Sequence, residues 1–341
     1  MKMKLPLVSF ETTMRCNLRC RFCYNHYKKS GETPAPSSYA QTKKTLNQIF
    51  KLFDVGQITF TGGEPFMAER FGELVLLVRF KGAAVGIISN GNFAKIDQYL
   101  QLVDLGVRLF ELPVHSFNAE IHDFMTTVNG SHQKSLSIIK SLIEHDVTPT
   151  VVIVLTKFNA ENAAETVRYI HSLGISRIML NRYNIGGEGV KDPSEILPTK
   201  EQLQTAFKEV SDEALKSNLA ILSSVCTPHC ILDPHNYPGI RFSSCSFDIT
   251  RRPVTIDYLG NVRFCNHSPV VLGNIFADSV EDIFSNPAAT EWGRVVPDFC
   301  KGCVRLLSCK SGCRAANQQC GIGLDKPDPV VEYYGGQKLL R

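Results

Sequence analysis

The sequence predicts an α/β protein in which a parallel sheet is followed by a smaller, loop-rich region. Up to about residue 220, short apolar segments alternate with longer amphipathic ones, which is the pattern of repeated β-α units. Beyond that point the helical periodicity stops, and prolines and glycines separate short segments. The 12 cysteines are clustered: three lie near the amino end, none lies between Cys23 and Cys226, and the rest follow.

Length and composition narrow the class of protein. The chain has 341 residues, of which 43% are hydrophobic and 21% charged, values typical of folded soluble proteins. It lacks an apolar run of the ~18 residues that a membrane span needs, and it lacks a signal peptide. The net charge of +4 is spread without a basic run. We therefore expect a cytoplasmic protein with neither a membrane nor a nucleic acid as partner, whose grouped cysteines bind metal rather than form disulfides.

Six β-α units are predicted between the amino end and residue 220. The strands are Leu7–Thr12, Gln57–Thr61, Ala84–Ser89, Leu109–Val114, Thr150–Thr156 and Arg177–Asn181. The helices are Tyr39–Phe53, Ala68–Phe80, Ile96–Leu105, Ser131–His145, Ala160–Leu173 and Lys200–Ser217. Glycines that follow helices are expected to end them with a positive φ, namely Gly56, Gly82, Gly106 and Gly174. Periodicity alone leaves open whether the sheet is doubly wound or curved into a barrel.

The chain is expected to divide at residues 220 and 320. Residues 1–220 form the β/α domain, and residues 221–320 form the cysteine-rich domain, with a hairpin of Val254–Asp257 and Asn261–Phe264. Residues 321–341 are rich in glycine and proline and are expected to be a flexible tail.

The amino-terminal cysteines follow the first predicted strand as Cys16, Cys20 and Cys23. Three thiolates on one loop can ligate three irons of a cubane cluster and leave the fourth iron open to another ligand. The alternative is a zinc knuckle completed by His26.

The spacing of these cysteines, with Phe22 before the third, resembles the signature of the radical SAM superfamily. The sequence Thr61-Gly62-Gly63-Glu64-Pro65 resembles the second motif of that superfamily. The resemblance implies a partial (β/α)6 TIM-like barrel over residues 1–220 and a site for S-adenosylmethionine (SAM). Gly62 and Gly63 would let the backbone approach the methionine moiety, and Glu64 would orient its ammonium group.

Ser89 and Asn90, at the end of the third strand, resemble the next cofactor-facing turn of the family; the alternative is an Asx turn that caps a helix. His115 and Ser116 end the fourth strand and Arg182 ends the sixth, so these three are candidates to contact SAM or substrate, or else rim residues. The chemistry implied is reductive cleavage of SAM to a 5′-deoxyadenosyl radical, which abstracts hydrogen from an unactivated carbon.

The carboxyl-terminal cysteines resemble the SPASM motif of radical SAM enzymes, which binds two auxiliary [4Fe–4S] clusters and brings the expected total to three. By position, the first auxiliary cluster would take Cys245, Cys265 and Cys313. The second would take Cys300, Cys303, Cys309 and Cys320. The fourth ligand of the first cluster is expected from Cys230, with Cys226 as the other candidate, and the further alternative is that this cluster stays open for a substrate atom. Zinc at the Cys300–Cys303 pair is the alternative.

The resemblance implies an enzyme that oxidises or cross-links a peptide or protein substrate. Sulfatase maturation is disfavoured because Asn266 follows Cys265 where those enzymes carry an aspartate base. A reducing partner of the flavodoxin or ferredoxin type is expected. Because the first strand starts by Leu7, leader recognition would need a separate binding protein. The alternatives are a radical SAM enzyme that acts on a small molecule, and a non-enzymatic metal-binding adaptor.

Overall fold

Strands and helices alternate through the first part of the chain, and the strands form one parallel sheet. The structure, a computed structural model, describes residues 2–28 and 34–335. Eight strands pair in chain order, each parallel to the next. They are β1 (Met3–Thr13), β2 (Phe53–Gly62), β3 (Ala84–Ile88), β4 (Leu109–Pro113), β5 (Thr150–Leu155), β6 (Arg177–Arg182), β7 (Ala220–Ser223) and β8 (Ile240–Phe242).

The helices that connect these strands bury one face against the sheet. They are α1 (Tyr39–Leu52), α2 (Phe71–Phe80), α3 (Ile96–Asp104), α4 (Ala119–Thr126), α5 (Ser131–Glu144), α6 (Ala163–Ser172) and α7 (Lys200–Ser217). Local sequence sets their ends: the side chain of Thr199 caps α7 in a capping box with Gln202, and Asn118 caps α4. Each crossover returns the chain to the edge of the sheet where the previous strand began, so the strands are parallel. Their carboxyl ends therefore all lie at the opposite edge.

The cysteine-rich region continues this sheet rather than standing apart from it. Its elements are β9 (Val254–Asp257), β10 (Asn261–Arg263), β11 (Val271–Asn274), α8 (Val280–Ser285), α9 (Pro287–Arg294), α10 (Leu306–Cys309), α11 (Arg314–Gln319) and α12 (Pro329–Tyr333). The predicted hairpin is present as β9 and β10, and β9 pairs in parallel with β1. The sheet order is β11-β10-β9-β1-β2-β3-β4-β5-β6-β7-β8. A fully buried ion pair between Arg263 and Glu11 joins β10 to β1.

The predicted fold class is confirmed, with local corrections. Gly56 does not end a helix: it lies inside β2, because α1 ends at Leu52 and the chain becomes extended at Phe53. Gly82, Gly106 and Gly174 have the expected positive φ of 85°, 86° and 88°. The short elements α4, β7 and β8 were not predicted, since too few residues repeat for a period to be recognised.

The structure also corrects the expectation of a flexible tail from residue 321. The α12 helix follows Asp328, which is buried, and it inserts Val330 and Val331 into the core. Residues 336–341 of the predicted tail lie outside the described residues. Among the helices of the described ranges, none is both long and apolar enough to cross a bilayer.

Candidate active site

The loop that carries the amino-terminal cysteines, residues 14–28 and hereafter the cysteine loop, is bound directly by the end of β2. The N–H of Gly63 donates to the carbonyl oxygen of Thr13 (2.8 Å), and the N–H of Glu64 donates to that of Arg15 (2.8 Å). A Cβ on Gly63 would overlap the Arg15 carbonyl oxygen, and a Cβ on Gly62 would overlap that of Thr13. Since only glycine permits this approach, the two sequence motifs form one structural unit.

The three thiols of the cysteine loop lie close to a partly buried cation, Lys28. Its ammonium group donates to the carbonyl oxygen of Leu18 (3.3 Å). Burial opposes the charge of Lys28, but the three neighbouring cysteines outweigh burial and hold its pKa above the usual value. Burial raises the pKa of Cys16, and the charge of Lys28 counteracts that rise. A cation at this position favours the thiolate, the form that ligates metals.

His26, the fourth ligand of the alternative zinc knuckle, packs against an aromatic ring. Among the described residues, no three His, Cys, Asp or Glu side chains converge as a single metal ion would require. The ring of His26 packs edge-on against Tyr27 at 5.3 Å between centroids. A cubane takes one thiolate at each corner, so thiols that are grouped without converging suit it better than zinc.

The Glu64 side chain links the end of β2 to the end of β3. It is fully buried and accepts hydrogen bonds from Ser89 Oγ (2.9 Å), from the N–H of Asn90 (2.8 Å) and from the N–H of Phe66 (3.3 Å). Burial raises the pKa of Glu64 to about 7, against the effect of these hydrogen bonds. Three protein donors therefore bind the carboxylate, and its role in orienting the SAM ammonium group stays a prediction. The backbone of Gly63 and Glu64 contacts the backbone of Thr13 and Arg15.

The turn after β3 touches the cysteine loop. Asn90 Nδ2 donates to Asn17 Oδ1 (2.9 Å) and lies 3.6 Å from the sulfur of Cys16. Asn90 Oδ1 accepts from the N–H of Asn92 (2.8 Å), which makes an Asx turn, but this turn does not cap the next helix as the alternative expected, because the N-cap of α3 is Lys95. The Asx turn is thus present, and it holds the Asn90 amide against the cysteine loop.

His115, Ser116 and Phe22 form a buried support behind that loop. His115 packs edge-on against Phe22 at 4.5 Å between ring centroids, and its Nδ1 accepts from the N–H of Val154 (3.3 Å). Burial holds the pKa of His115 well below its usual value, so the ring is neutral. Ser116 Oγ accepts from the N–H of Asn118 (3.1 Å). All these contacts are with other residues of the chain. The structure therefore favours roles for His115 and Ser116 in positioning the cysteine loop.

Arg182 does not project into the barrel mouth, contrary to expectation. It is 1% exposed and forms an ion pair with Asp328 at 2.5 Å. It also donates to the carbonyl oxygens of Cys226 (3.0 Å) and Tyr183 (3.1 Å). Arg182 was expected to pair with a carboxylate of SAM or substrate, but the carboxylate it pairs with is that of Asp328, 146 residues further along the chain.

The carboxyl-terminal cysteines fall into two groups and one outlier. The first thiol group comprises Cys226, Cys245, Cys265 and Cys313. A hydrogen bond joins the thiols of Cys226 and Cys245, and it is the main reason why the pKa of Cys245 is lowered to about 6. Trp292 Nε1 donates to the sulfur of Cys245 (3.2 Å), and Asn184 Nδ2 donates to that of Cys313 (3.2 Å).

The second thiol group lines one pocket and comprises Cys230, Cys300, Cys303 and Cys309. The N–H of His229 donates to the sulfur of Cys309 (3.4 Å). Cys320 does not line this pocket; it follows α11, where its charge acts on Tyr183. The structure thus differs from expectation at two cysteines: Cys230, expected at the first cluster, lies with the second group, and Cys320, expected at the second cluster, lies outside that pocket.

A parallel β/α sheet with three thiols at the carboxyl end of its first strand, and two further groups of four, defines an iron–sulfur protein. Comparison with protein families agrees. Residues 10–173 match the radical SAM superfamily, and residues 245–304 match the iron–sulfur cluster-binding SPASM domain. The chain belongs to the radical SAM superfamily and carries a SPASM domain after the radical SAM domain. The predicted use of SAM and of iron–sulfur clusters, and the prediction of an enzyme, are confirmed by this membership.

Two relatives illustrate the similarity in sequence. The chain is 28% identical over 314 residues to the antilisterial bacteriocin subtilosin biosynthesis protein AlbA of Bacillus subtilis, covering 88% of this chain and 64% of that protein. The chain therefore spans just under two thirds of the length of AlbA. It is 24% identical over 334 residues to the PqqA peptide cyclase of Granulibacter bethesdensis, covering 94% of this chain and 85% of that protein.

Two solved structures share the fold. Native anSMEcpe with bound AdoMet superposes with a TM-score of 0.75 at 16% identity, over 97% of this chain and 95% of that one. SuiB of Streptococcus suis bound to S-adenosylmethionine superposes with a TM-score of 0.69 at 18% identity, over 96% of this chain and 77% of that one.

Replacing Gly63 by alanine should disrupt the contact between β2 and the cysteine loop. The added Cβ would meet backbone, which cannot move aside as a side chain can. We expect a loss of about 1–3 kcal/mol in the free energy of unfolding, and SAM binding weakened roughly tenfold or more. Anaerobic thermal unfolding and equilibrium dialysis with labelled SAM measure the two effects.

The matched control is Gly72→Ala in α2, because a Cβ there meets nothing within 4 Å. This control should bind SAM normally and be at least as stable as the unaltered protein. Equal SAM affinity in the two variants would show that close approach at Gly63 is not required.

Proposed function

We propose that the chain is a radical SAM/SPASM enzyme that modifies a peptide or protein by oxidation or cross-linking at an unactivated C–H bond. The names of the relatives support this substrate class, since one is a peptide cyclase and another serves the biosynthesis of a bacteriocin. Structures that share the fold include anSMEcpe with bound AdoMet and a Cp18Cys peptide, and SuiB bound to the precursor peptide SuiA.

The observation that carries the proposal is the cysteine loop: three thiols beside a partly buried lysine, hydrogen-bonded to the glycine-rich end of β2. Cys16, Cys20 and Cys23 would bind a [4Fe–4S] cluster at three corners and leave one iron for SAM. When bound, this cluster and SAM supply the radical chemistry that removes hydrogen from an unactivated carbon.

The side chains around the loop have roles that do not depend on the cofactor's own chemistry. Lys28 offsets the negative charge of the three thiolates. The Asn90 amide lies 3.6 Å from the sulfur of Cys16 and can donate to it. Phe22, supported by His115, covers the loop with an apolar ring and so limits access of water. The backbone of Gly62 and Gly63 would hold the methionine moiety, with Ser89 fixing the neighbouring turn through Glu64.

Two partners belong to the proposal. Reduction of the cluster calls for a one-electron donor of the flavodoxin or ferredoxin type, and the substrate is presented either alone or by a separate leader-binding protein. We place the protein in the cytoplasm, where thiols are kept reduced.

The test is anaerobic incubation of the reconstituted protein with SAM, dithionite and candidate precursor peptides. We expect 5′-deoxyadenosine together with a peptide lighter by two hydrogens for each oxidation or cross-link, found by mass spectrometry. Cleavage of SAM without any change in peptide mass, coupled instead to the oxidation of a small alcohol, would replace the peptide substrate by a small molecule.

A further inference from the structure

The short segment Cys226-Thr-Pro-His-Cys230 lies between the two thiol groups. The Pro228 carbonyl oxygen accepts from the N–H of Ile231 (2.9 Å), which makes a turn at this point. The carbonyl oxygen of Cys226 is held by Arg182 (3.0 Å), and the N–H of His229 donates to the sulfur of Cys309 (3.4 Å). One end of the segment is therefore fixed toward the barrel, and the other toward α10.

At its first end, Cys226 lies with the first thiol group. Its thiol is hydrogen-bonded to that of Cys245, and the charges of Cys313 and Cys265 act on it as well. Arg252 Nη1 lies 3.9 Å from the sulfur of Cys245, which places a cation beside these thiols. Four thiols with a neighbouring cation fit a fully ligated, negatively charged [4Fe–4S] cluster.

At its second end, Cys230 lies with the second thiol group. It lines the same pocket as Cys300, Cys303 and Cys309. Burial and the charges of those three cysteines raise the pKa of Cys230 to about 12, so their sulfurs are near neighbours. The pocket is also lined by Arg305, which supplies a cation here as Arg252 does at the first group.

Cys320 is held away from both groups. The preceding residue, Gln319, donates to the carbonyl oxygens of Tyr24 (2.9 Å) and His267 (2.7 Å), which ties the end of α11 toward the cysteine loop. The charge that acts on the Cys320 thiol is that of Asp328, an anion.

We propose that Cys226 completes the first auxiliary cluster, that Cys230 completes the second, and that Cys320 ligates neither. The proposal rests on the proposed function only in that both auxiliary clusters are present. It departs from the assignment that the cysteine spacing alone favours, which places Cys320 at the second cluster.

The test compares Cys230→Ala with Cys320→Ala, a matched pair of single thiol removals, after anaerobic reconstitution. The unaltered protein and Cys320→Ala should hold about 12 irons per chain, as three cubanes require, with identical EPR spectra after reduction. Cys230→Ala should lose about four irons, or retain them with a new EPR signal from an incompletely ligated cluster. A changed spectrum or iron content in Cys320→Ala, or an unchanged one in Cys230→Ala, would overturn the proposal.

A second measurement needs no variant and so does not depend on folding of Cys230→Ala. Iodoacetamide added anaerobically to the reconstituted protein should alkylate Cys320 and spare Cys226 and Cys230, as read by peptide mass spectrometry. Removing iron with a chelator should then expose both spared cysteines. Protection of Cys320 together with modification of Cys230 would contradict the proposed ligands. None of these readouts involves the peptide, so failure of the proposed function appears separately, as unchanged peptide in the unaltered enzyme.

Discussion

Replacing Cys16, Cys20 and Cys23 together by alanine should abolish SAM cleavage while leaving the auxiliary iron in place. Cys16, Cys20 and Cys23 are the three thiols whose charges act on Lys28, and Cys16 and Cys23 also act on Cys20, so the three form one group. The first and second thiol groups lie in the carboxyl-terminal region and do not share these ligands. Iron should therefore fall from about 12 to about 8 per chain, and 5′-deoxyadenosine should fall below detection.

Iron analysis, EPR of the reduced protein and chromatography of SAM products measure these effects in one preparation. The retained auxiliary iron serves as the internal control, because it shows that the variant has folded. SAM cleavage that persists in the triple variant would contradict the role given to the cysteine loop. Loss of all iron would show instead that the three sites are not independent.

Arg182→Met should produce a large loss of stability. The guanidinium and the Asp328 carboxylate are 1% and 0% exposed, so removing the cation leaves a buried, unpaired carboxylate. Such losses are about 3–5 kcal/mol. Because Asp328 also accepts from the N–H of Cys313 (2.8 Å), we expect the first thiol group to become more accessible to alkylation.

Arg70→Met is the matched control, since Arg70 pairs with Glu73 at 2.5 Å and the two side chains are 52% and 48% exposed. Exposed pairs contribute about 0–1 kcal/mol, so this variant should unfold close to the unaltered protein. Adding Asp328→Leu to Arg182→Met should restore part of the lost stability, since the unpaired charge is then removed. If the two arginine variants unfold at the same denaturant concentration, the buried pair does not hold the carboxyl-terminal segment in place.

The sequence predicts well those features that are local in the chain. Cysteine spacing and the Gly62–Gly63 pair each lie within a few residues, and the structure joins them as a single unit. The six longer strands were found because their apolar runs are distinct. In contrast, β7 and β8 have four and three residues, too few for a period to emerge.

Contacts between distant residues were the ones that sequence reasoning missed. Nothing near Arg182 indicates that its partner is Asp328, and nothing near Glu64 indicates that Ser89 and Asn90 occupy its carboxylate. Our proposal for Cys226 and Cys230 rests on contacts between thiols, because a spacing rule treats these two cysteines alike. The role of Lys28 could have been predicted from the sequence, because it is a basic residue five positions after the third cysteine of a predicted metal-binding loop.

The pairing of β9 with β1 has a consequence for how the chain is made. One edge of β1 stays open during translation until Val254 leaves the ribosome, roughly 240 residues after β1 itself, which takes about 12–50 s at usual elongation rates. An unpaired edge of this kind can recruit a strand from a neighbouring nascent chain. Growth at lower temperature, or co-expression of chaperones, should therefore raise the soluble yield of this protein. The gain should exceed that of a barrel protein whose first strand is paired on both edges early in translation.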